Sequence, residues 1–233
     1  MANINIFPDV NRAKLSIVKD WIHEKLGIDP ESVIVNTDIL RLSAKFDPKR
    51  GEIELPVKTN DNDYALDKKL SNDDIFFITD LLAVVSKESD DEGGNAILLP
   101  YPDPVLFKNV DEAAALMCYF NGKLALEDNH HKRFYNYPMI ECLKVPQTGL
   151  SVNSTGKVTA YPSIDLRKSA IAWNPFEVVS GLANSRFKVQ YNGKYDAISD
   201  GGKNRATILA FGFKGAGLAT AFTEYEQRMK GKK

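Results

Sequence analysis

The chain has 233 residues, 43% hydrophobic and 26% charged, and its 30 Lys and Arg against 31 Asp and Glu give a formal net charge of -1. That balance supplies no chain-wide positive field of the kind that general nucleic-acid binding exploits. A compact body of this length buries roughly 70% of the surface that its unfolded chain exposes, so a full core needs no metal or disulfide staple.

The first element is "DVNRAKLSIVKDWIHEKLG". Leu15, Val18, Ile22 and Leu26 follow helical spacing, Trp21 widens the apolar stripe, Asp9 suits an N-cap, and Gly27 stands where a glycine ends a helix. This amphipathic helix makes residues 1–27 an N-terminal helical arm, whose stripe is expected to dock on the chain's own core. Residues 28–233 are expected to form a β-rich body. Its first part, "ESVIVNTDILRLSAKF" and "GEIELPVK" on either side of the turn "DPKRG", reads as two or three strands, and "TNDNDYALDKK" as a polar loop. "DIFFITDLLAVVS" fits two templates: Ile75, Ile78, Leu82 and Val85 are helically spaced, whereas its branched and aromatic residues favour a strand. Composition tips the reading toward a strand.

"AILLPYPDPVLF" carries three prolines in five residues, which excludes a helix or a central strand and leaves an extended edge or a wrapping connection. "NVDEAAALMCYFNG" reads as a short helix near 110–120, with Asn109 and Glu112 in a capping-box pattern and Asn121-Gly122 as its stop. Its rival is a hairpin across that Asn-Gly pair. "RFYNYPMIECLKV", "STGKVTAY" and "RATILAFGF" read as strands, and "SRFKVQYNGKYDAI", with Asn192-Gly193 between two alternating arms, is the strongest hairpin signal. "LATAFTEYEQRMK" is a C-terminal helix near 218–230. No repeat and no Gly/Ser linker divides the chain, so the expected fold is one α+β, β-rich body with a helix at each end.

The chemical motifs are incomplete. "HEKLG" has Gly27 where a zinc-protease helix needs its second histidine, and Cys118, His130, His131 and Cys142 match no paired-ligand spacing. "GFKGAG" lacks the Gly-Lys-Ser/Thr ending of a phosphate loop. No catalytic residue, cofactor or metal is therefore expected, and both cysteines read as buried thiols. Asn72, Asp73 and Asp74 are turn and cap formers ahead of an apolar element, while Asp80, inside that element, must face solvent or a partner. The N-terminus lacks the basic and apolar regions of a signal peptide, and no run approaches the ~20 apolar residues of a membrane span. Synthesis in cytoplasm without membrane contact is the expectation. Trp21, Tyr101, Phe107, Tyr135, Tyr137, Trp173 and Phe176 include aromatics in polar or Pro-broken segments, the kind of residue that anchors protein–protein interfaces.

"LSNDDIFFITDLLAVV", "LPYPDPVLF", "AAALMCYFNGKLAL" and "MIECLKVPQTGL", spread over Leu70 to Leu150 and about a third of the chain, resemble structural virion proteins of bacteriophages of Bacteroides-type hosts, of the crAss-like group. Asn72, Asp74, Phe76, Asn121, Gly122, Leu124, Val145, Pro146 and Thr148 carry the resemblance. It implies a capsid or auxiliary head subunit, made in the host cytoplasm and resident in the virion, with itself or a major capsid protein as partner in an oligomer or larger assembly. In that setting these residues are architectural and none is catalytic. A jelly-roll-like sandwich and other β-rich arrangements both stay open. The alternatives are a glycan-directed hydrolase using two carboxylates, or a carbohydrate-binding or adhesion module with an exposed Tyr and Trp platform.

Overall fold

The apolar run that begins at Ile75 is a strand, and both of its faces are buried. The computed structural model describes residues 8–47, 50–60, 64, 66–87, 97–102, 110–128, 132–143, 147–152, 158–163, 170–192 and 204–231. Among these, the strands are β1 (Val35–Lys45), β2 (Glu52–Pro56), β3 (Ile75–Lys87), β4 (Ile97–Leu99), β5 (Lys123–Glu127), β6 (Lys132–Pro138), β7 (Gln147–Val152), β8 (Val158–Ser163), β9 (Ile171–Ser180), β10 (Arg186–Gln190) and β11 (Asn204–Gly215). The α-helices are α1 (Pro8–Trp21), α2 (Val110–Phe120) and α3 (Ala219–Lys230).

One sheet runs β1-β11-β3, and the far edge of β3 is shared by β9, along Ile75 to Leu81, and β4, along Val85 to Lys87. The second runs β2-β10-β5-β6, and every pairing in both sheets is antiparallel. With β4 and the separate β7–β8 ribbon set aside, the remaining strands in chain order lie first, eighth, third, sixth in one sheet and second, seventh, fourth, fifth in the other. That order is a jelly roll, two antiparallel sheets between which the chain passes back and forth. Leu40, Leu42, Phe76, Ala83 and Ile208 from the first sheet meet Leu55, Leu124, Leu126, Phe187 and Val189 from the second in one core. Helix α2 adds Leu116, Tyr119 and Phe120 to it, and the buried Tyr119 hydroxyl donates to the Thr207 carbonyl at 3.2 Å.

A bulge explains why β3 is ambiguous as sequence. Phe211 pairs with Asp80 and Gly212 with Ile78, so Thr79 is an extra residue that reverses the alternation. Phe76 and Ile78 face the sandwich before it; Leu81, Ala83 and Val85 face it afterwards. On the outer face, Ile75 and Phe77 pack with Val178 and Phe213 under Val18, Ile22 and Leu26 of the N-terminal helix and under Leu218, Ala219 and Phe222 of the C-terminal one.

The described part of the segment read as an arm, 1–27, is therefore docked on the body. Asp9 falls within the described helix, Pro8–Trp21, and so lies inside it instead of capping it. After Trp21 the helix loosens into a π turn, Ile22–Leu26, and Gly27 closes it at φ +71° with its N–H on the His23 carbonyl, 3.1 Å away. The segment 28–58 holds two strands. "RFYNYPMIECLKV" divides into β6 and a 3-10 turn, Met139–Cys142. From Arg186 to Gln190 both hydrogen-bonding edges of β10 are occupied, by β2 and β5, and Gly193 with the second arm of the hairpin expected there lies outside the described residues.

Candidate functional site

Asn72 and Asp73 form the turn ahead of β3, and Asp74 beneath them is buried. The Asp74 carboxylate accepts from the Ser71 hydroxyl at 2.7 Å and the Gly217 N–H at 3.1 Å, and pairs with Lys214 Nζ at 3.3 Å. The Asp74 carbonyl accepts the Gly181 N–H, and the Asp73 carbonyl accepts the N–H of Ala219, the first residue of α3, each at 3.0 Å. Three turns, before β3, after β9 and after β11, are thus tied at one point. Burial raises the proton affinity of Asp74, but the Ser71, Gly217 and Lys214 interactions together outweigh it and the net shift is downward. Asp74→Asn should cost about 1–2 kcal/mol at neutral pH through the lost charge-assisted bonds. A depressed carboxylate stabilises above its unfolded-state value and loses that effect as pH falls through its folded-state value. Denaturant titrations should therefore separate the variant from the wild type at pH about 7 and bring the two together as pH falls through the folded-state value of Asp74.

Asp80 turns to the outer face, where it meets Lys14 Nζ of α1 at 2.9 Å and the Thr79 hydroxyl at 2.7 Å. A second cluster was not visible in the sequence. Arg133 of β6 places Nη2 3.2 Å from Asp128 Oδ2 and in contact with Glu226 Oε1 of α3, with its guanidinium 5.6 Å from the centre of the Phe222 ring. Burial raises the pKa of Glu177 on β9, and the Arg133 charge opposes that rise. The members come from β6, β9, α3 and the connection after β5, so no local spacing could have announced them.

The aromatic candidates divide. The Trp21 ring lies 5.5 Å from Phe77, 6.1 Å from Phe176, 6.1 Å from Phe222 and 5.7 Å from Tyr225, and joins both helices to the sheet. Trp173 stacks 4.6 Å from Phe134 and 5.8 Å from Tyr137, whose hydroxyl donates to Glu141. Trp21, Trp173, Tyr137 and Phe176 thus spend ring surface inside the chain. Tyr101 is half-buried, while Tyr135 is 68% exposed. Tyr135 stands on β6, whose outer edge pairs with no strand among the described residues. Beside it Asn136, at φ +59°, makes a bulge against β5, and Ile140 just beyond is exposed.

Asn121 and Gly122 end α2, with N–H bonds to the carbonyls of Met117 at 3.0 Å and Tyr119 at 3.2 Å, and Asn192 lies just beyond β10. Phe107, Asn109, His130, His131, Val145, Pro146 and Gly193 lie outside the described residues.

The outer face of the second sheet is a charge lattice, in which Lys188 meets Glu52 at 2.8 Å and Glu54 at 3.8 Å, and Arg186 meets Glu54 at 3.4 Å and Glu127 at 3.5 Å. At its margin, Lys45, Asp47, Arg50, Glu52 and Glu54 line a cleft of about 290 Å³. Among the described residues no three His, Cys, Asp or Glu are grouped to hold a metal ion, and no helix is long and apolar enough to cross a membrane. Cys118 and Cys142 are buried, and burial pushes the Cys118 thiol up to about 12, far from an activated thiolate. Compared with known proteins, the chain matches no family model, no curated protein and no solved structure.

Proposed function

We propose that this chain is a structural virion protein, a capsid or auxiliary head subunit that acts by assembling with copies of itself or with a major shell protein. The observation that carries the reading is the jelly-roll strand order, an architecture used by viral capsid domains and also by lectins and cupins. The surface chemistry favours assembly among these. Neither tryptophan offers a free stacking platform, since Trp21 and Trp173 are both packed against neighbouring rings. The acids at the cleft margin are engaged, Glu52 and Glu54 by Lys188 and Asp47 by Arg50. Among the described residues, the exposed large apolar side chains are Ile17 and Met229 on the two terminal helices and Ile34, Leu66, Tyr135, Ile140 and Leu182 at edges and turns.

Negative-stain electron microscopy of the purified chain at rising concentration tests the self-assembly form of this proposal. Closed, symmetric assemblies are the expected result; dispersed single subunits at every concentration would overturn it.

A further inference from the structure

Strand β1 ends its sheet: β11 takes one of its edges, and among the described residues no named strand takes the other. At the two ends of the pairing, the Ala216 N–H donates to the Ile34 carbonyl and the Phe46 N–H to the Asn204 carbonyl. Even-numbered residues of β1 therefore bond toward β11, and odd-numbered ones turn their N–H and C=O groups outward. An edge of 11 residues with such a row open is a template for a further strand.

At its centre the row is filled from within the chain. The Ile39 N–H donates to the Asp38 carboxylate at 2.8 Å, Arg41 exchanges bonds of 2.8 and 3.0 Å with the backbone of Lys68, and the Ser43 N–H donates to the Asp67 carboxylate at 3.2 Å. The acceptors are themselves held. The Lys68 ammonium contacts Asp38, and Lys69 Nζ lies 3.8 Å from Asp67. Lys68 and Asp67 belong to a strap whose base is closed where the Thr59 N–H meets the Leu70 carbonyl at 3.1 Å and the Leu70 N–H meets the Val57 carbonyl at 2.9 Å. Within the strap, the Tyr64 ring lies 3.8 Å from the Arg205 guanidinium of β11 and so rests on the sheet.

We infer that Asp38, Asp67 and Lys68 form an inhibitory cap on β1, which stops a second copy of this chain from adding its own β1 there. An antiparallel edge is self-complementary, because a two-fold axis sets its row of donors and acceptors against the same row in the other copy. Such a strand must bring a carbonyl oxygen to each outward N–H. At Ile39 and Ser43 that place holds a carboxylate oxygen, so the newcomer meets full negative charge with its own partial negative charge. At Arg41 it must break two bonds first. Asp67 makes its bond with a side chain only 1% exposed, where a neutral side-chain acceptor would cost less to bury. Charge turned onto a strand edge is a device that folded proteins use against edge-to-edge association. The inference stands independently of the assembly reading above, since it names a surface through which copies do not join.

Sedimentation velocity of three full-length proteins tests it: the wild type, Asp38→Ala with Asp67→Ala, and that pair with Thr37→Pro added. Thr37 is exposed and odd-numbered, so proline there closes the edge without removing a bond to β11. The double variant should self-associate at least about tenfold more tightly than the wild type, and the proline should reverse the gain. A double variant that associates no more tightly than the wild type overturns the cap. So does a gain that the proline leaves in place, which would run through another surface or through unfolded chain. Amide hydrogen exchange of the dilute wild type gives a reading that needs no variant to fold. Ile39, Arg41 and Ser43 should be protected like the even-numbered amides of β1, and free exchange at Ile39 and Ser43 overturns the cap.

Discussion

Gly212→Ala is expected to yield no folded protein. A Cβ at Gly212 would stand 1.8 Å from the carbonyl oxygen of Phe77 and 2.9 Å from its carbonyl carbon, both backbone atoms of the neighbouring strand. The position adjoins the bulge at Thr79, where β11 and β3 already depart from regular pairing, and these two strands are central in their sheet. Relief requires moving β11 off β3, which would open the core beneath Phe76 and Ile208. Disruption on that scale costs about 4 kcal/mol or more, a large share of the ~5–15 kcal/mol that holds a domain together. Gly27→Ala is the control: nothing lies within 4 Å of its added Cβ, and only the positive φ is penalised, by about 1 kcal/mol. Circular dichroism and soluble yield should separate the two. A Gly212→Ala protein with wild-type melting would mean that β11 does not lie against β3 in this register.

Arg133→Met should be the next most damaging change, at about 3 kcal/mol, because it removes the guanidinium beside the buried Asp128 carboxylate while Glu177 and Glu226 remain close by. The variant's pH dependence distinguishes lost charge from lost packing. Burial already raises the pKa of Glu177, and without the Arg133 charge that rise goes unopposed, so the folded form takes up a proton there more readily than the unfolded form. The variant should recover stability as pH is lowered from about 8 into the raised range of Glu177. Denaturant midpoints across that range measure it, and a deficit that does not change with pH would assign the loss to packing on Phe222.

These expectations depend on contacts between distant parts of the chain, and that distance marks the limit of what the sequence discloses. Local signals sufficed for the helical stripe of Val18, Ile22 and Leu26, for the short helix that stops at Asn121-Gly122, and for the outward alternation of Glu52 and Glu54 around Ile53. The ambiguity at Ile75 to Lys87 had a physical source: one extra residue at Thr79 reverses the alternation midway, and the broken period mimics helical spacing. A turn signal such as Asn192-Gly193 carries no information about whether the preceding strand has a free edge, and β10 has none from Arg186 to Gln190. Exposure of aromatics was equally hidden. Trp21 is legible from its place on the apolar stripe of the first helix, but Trp173 looks much like Tyr135 in composition and context, and its direction is fixed by a partner far along the chain, Phe134.

The expectation of a turn at Asn72 to Asp74 has a structural counterpart there, and the role of the buried carboxylate proves wider than shaping one turn. Asp74 draws together segments that precede β3 and follow β9 and β11, which a reading of the local motif could not supply. The strand order is the other feature that had to be seen. Alternation and turn chemistry identify strands, but only long-range pairing chooses between a jelly roll and another sandwich.

The most direct test of the account is the mass of the purified full-length chain, measured by light scattering behind size exclusion across a concentration series. The account predicts mass that rises with concentration to a defined multiple of the 26.0 kDa chain, or open-ended growth. A mass fixed at 26.0 kDa at every concentration would contradict a self-assembling subunit.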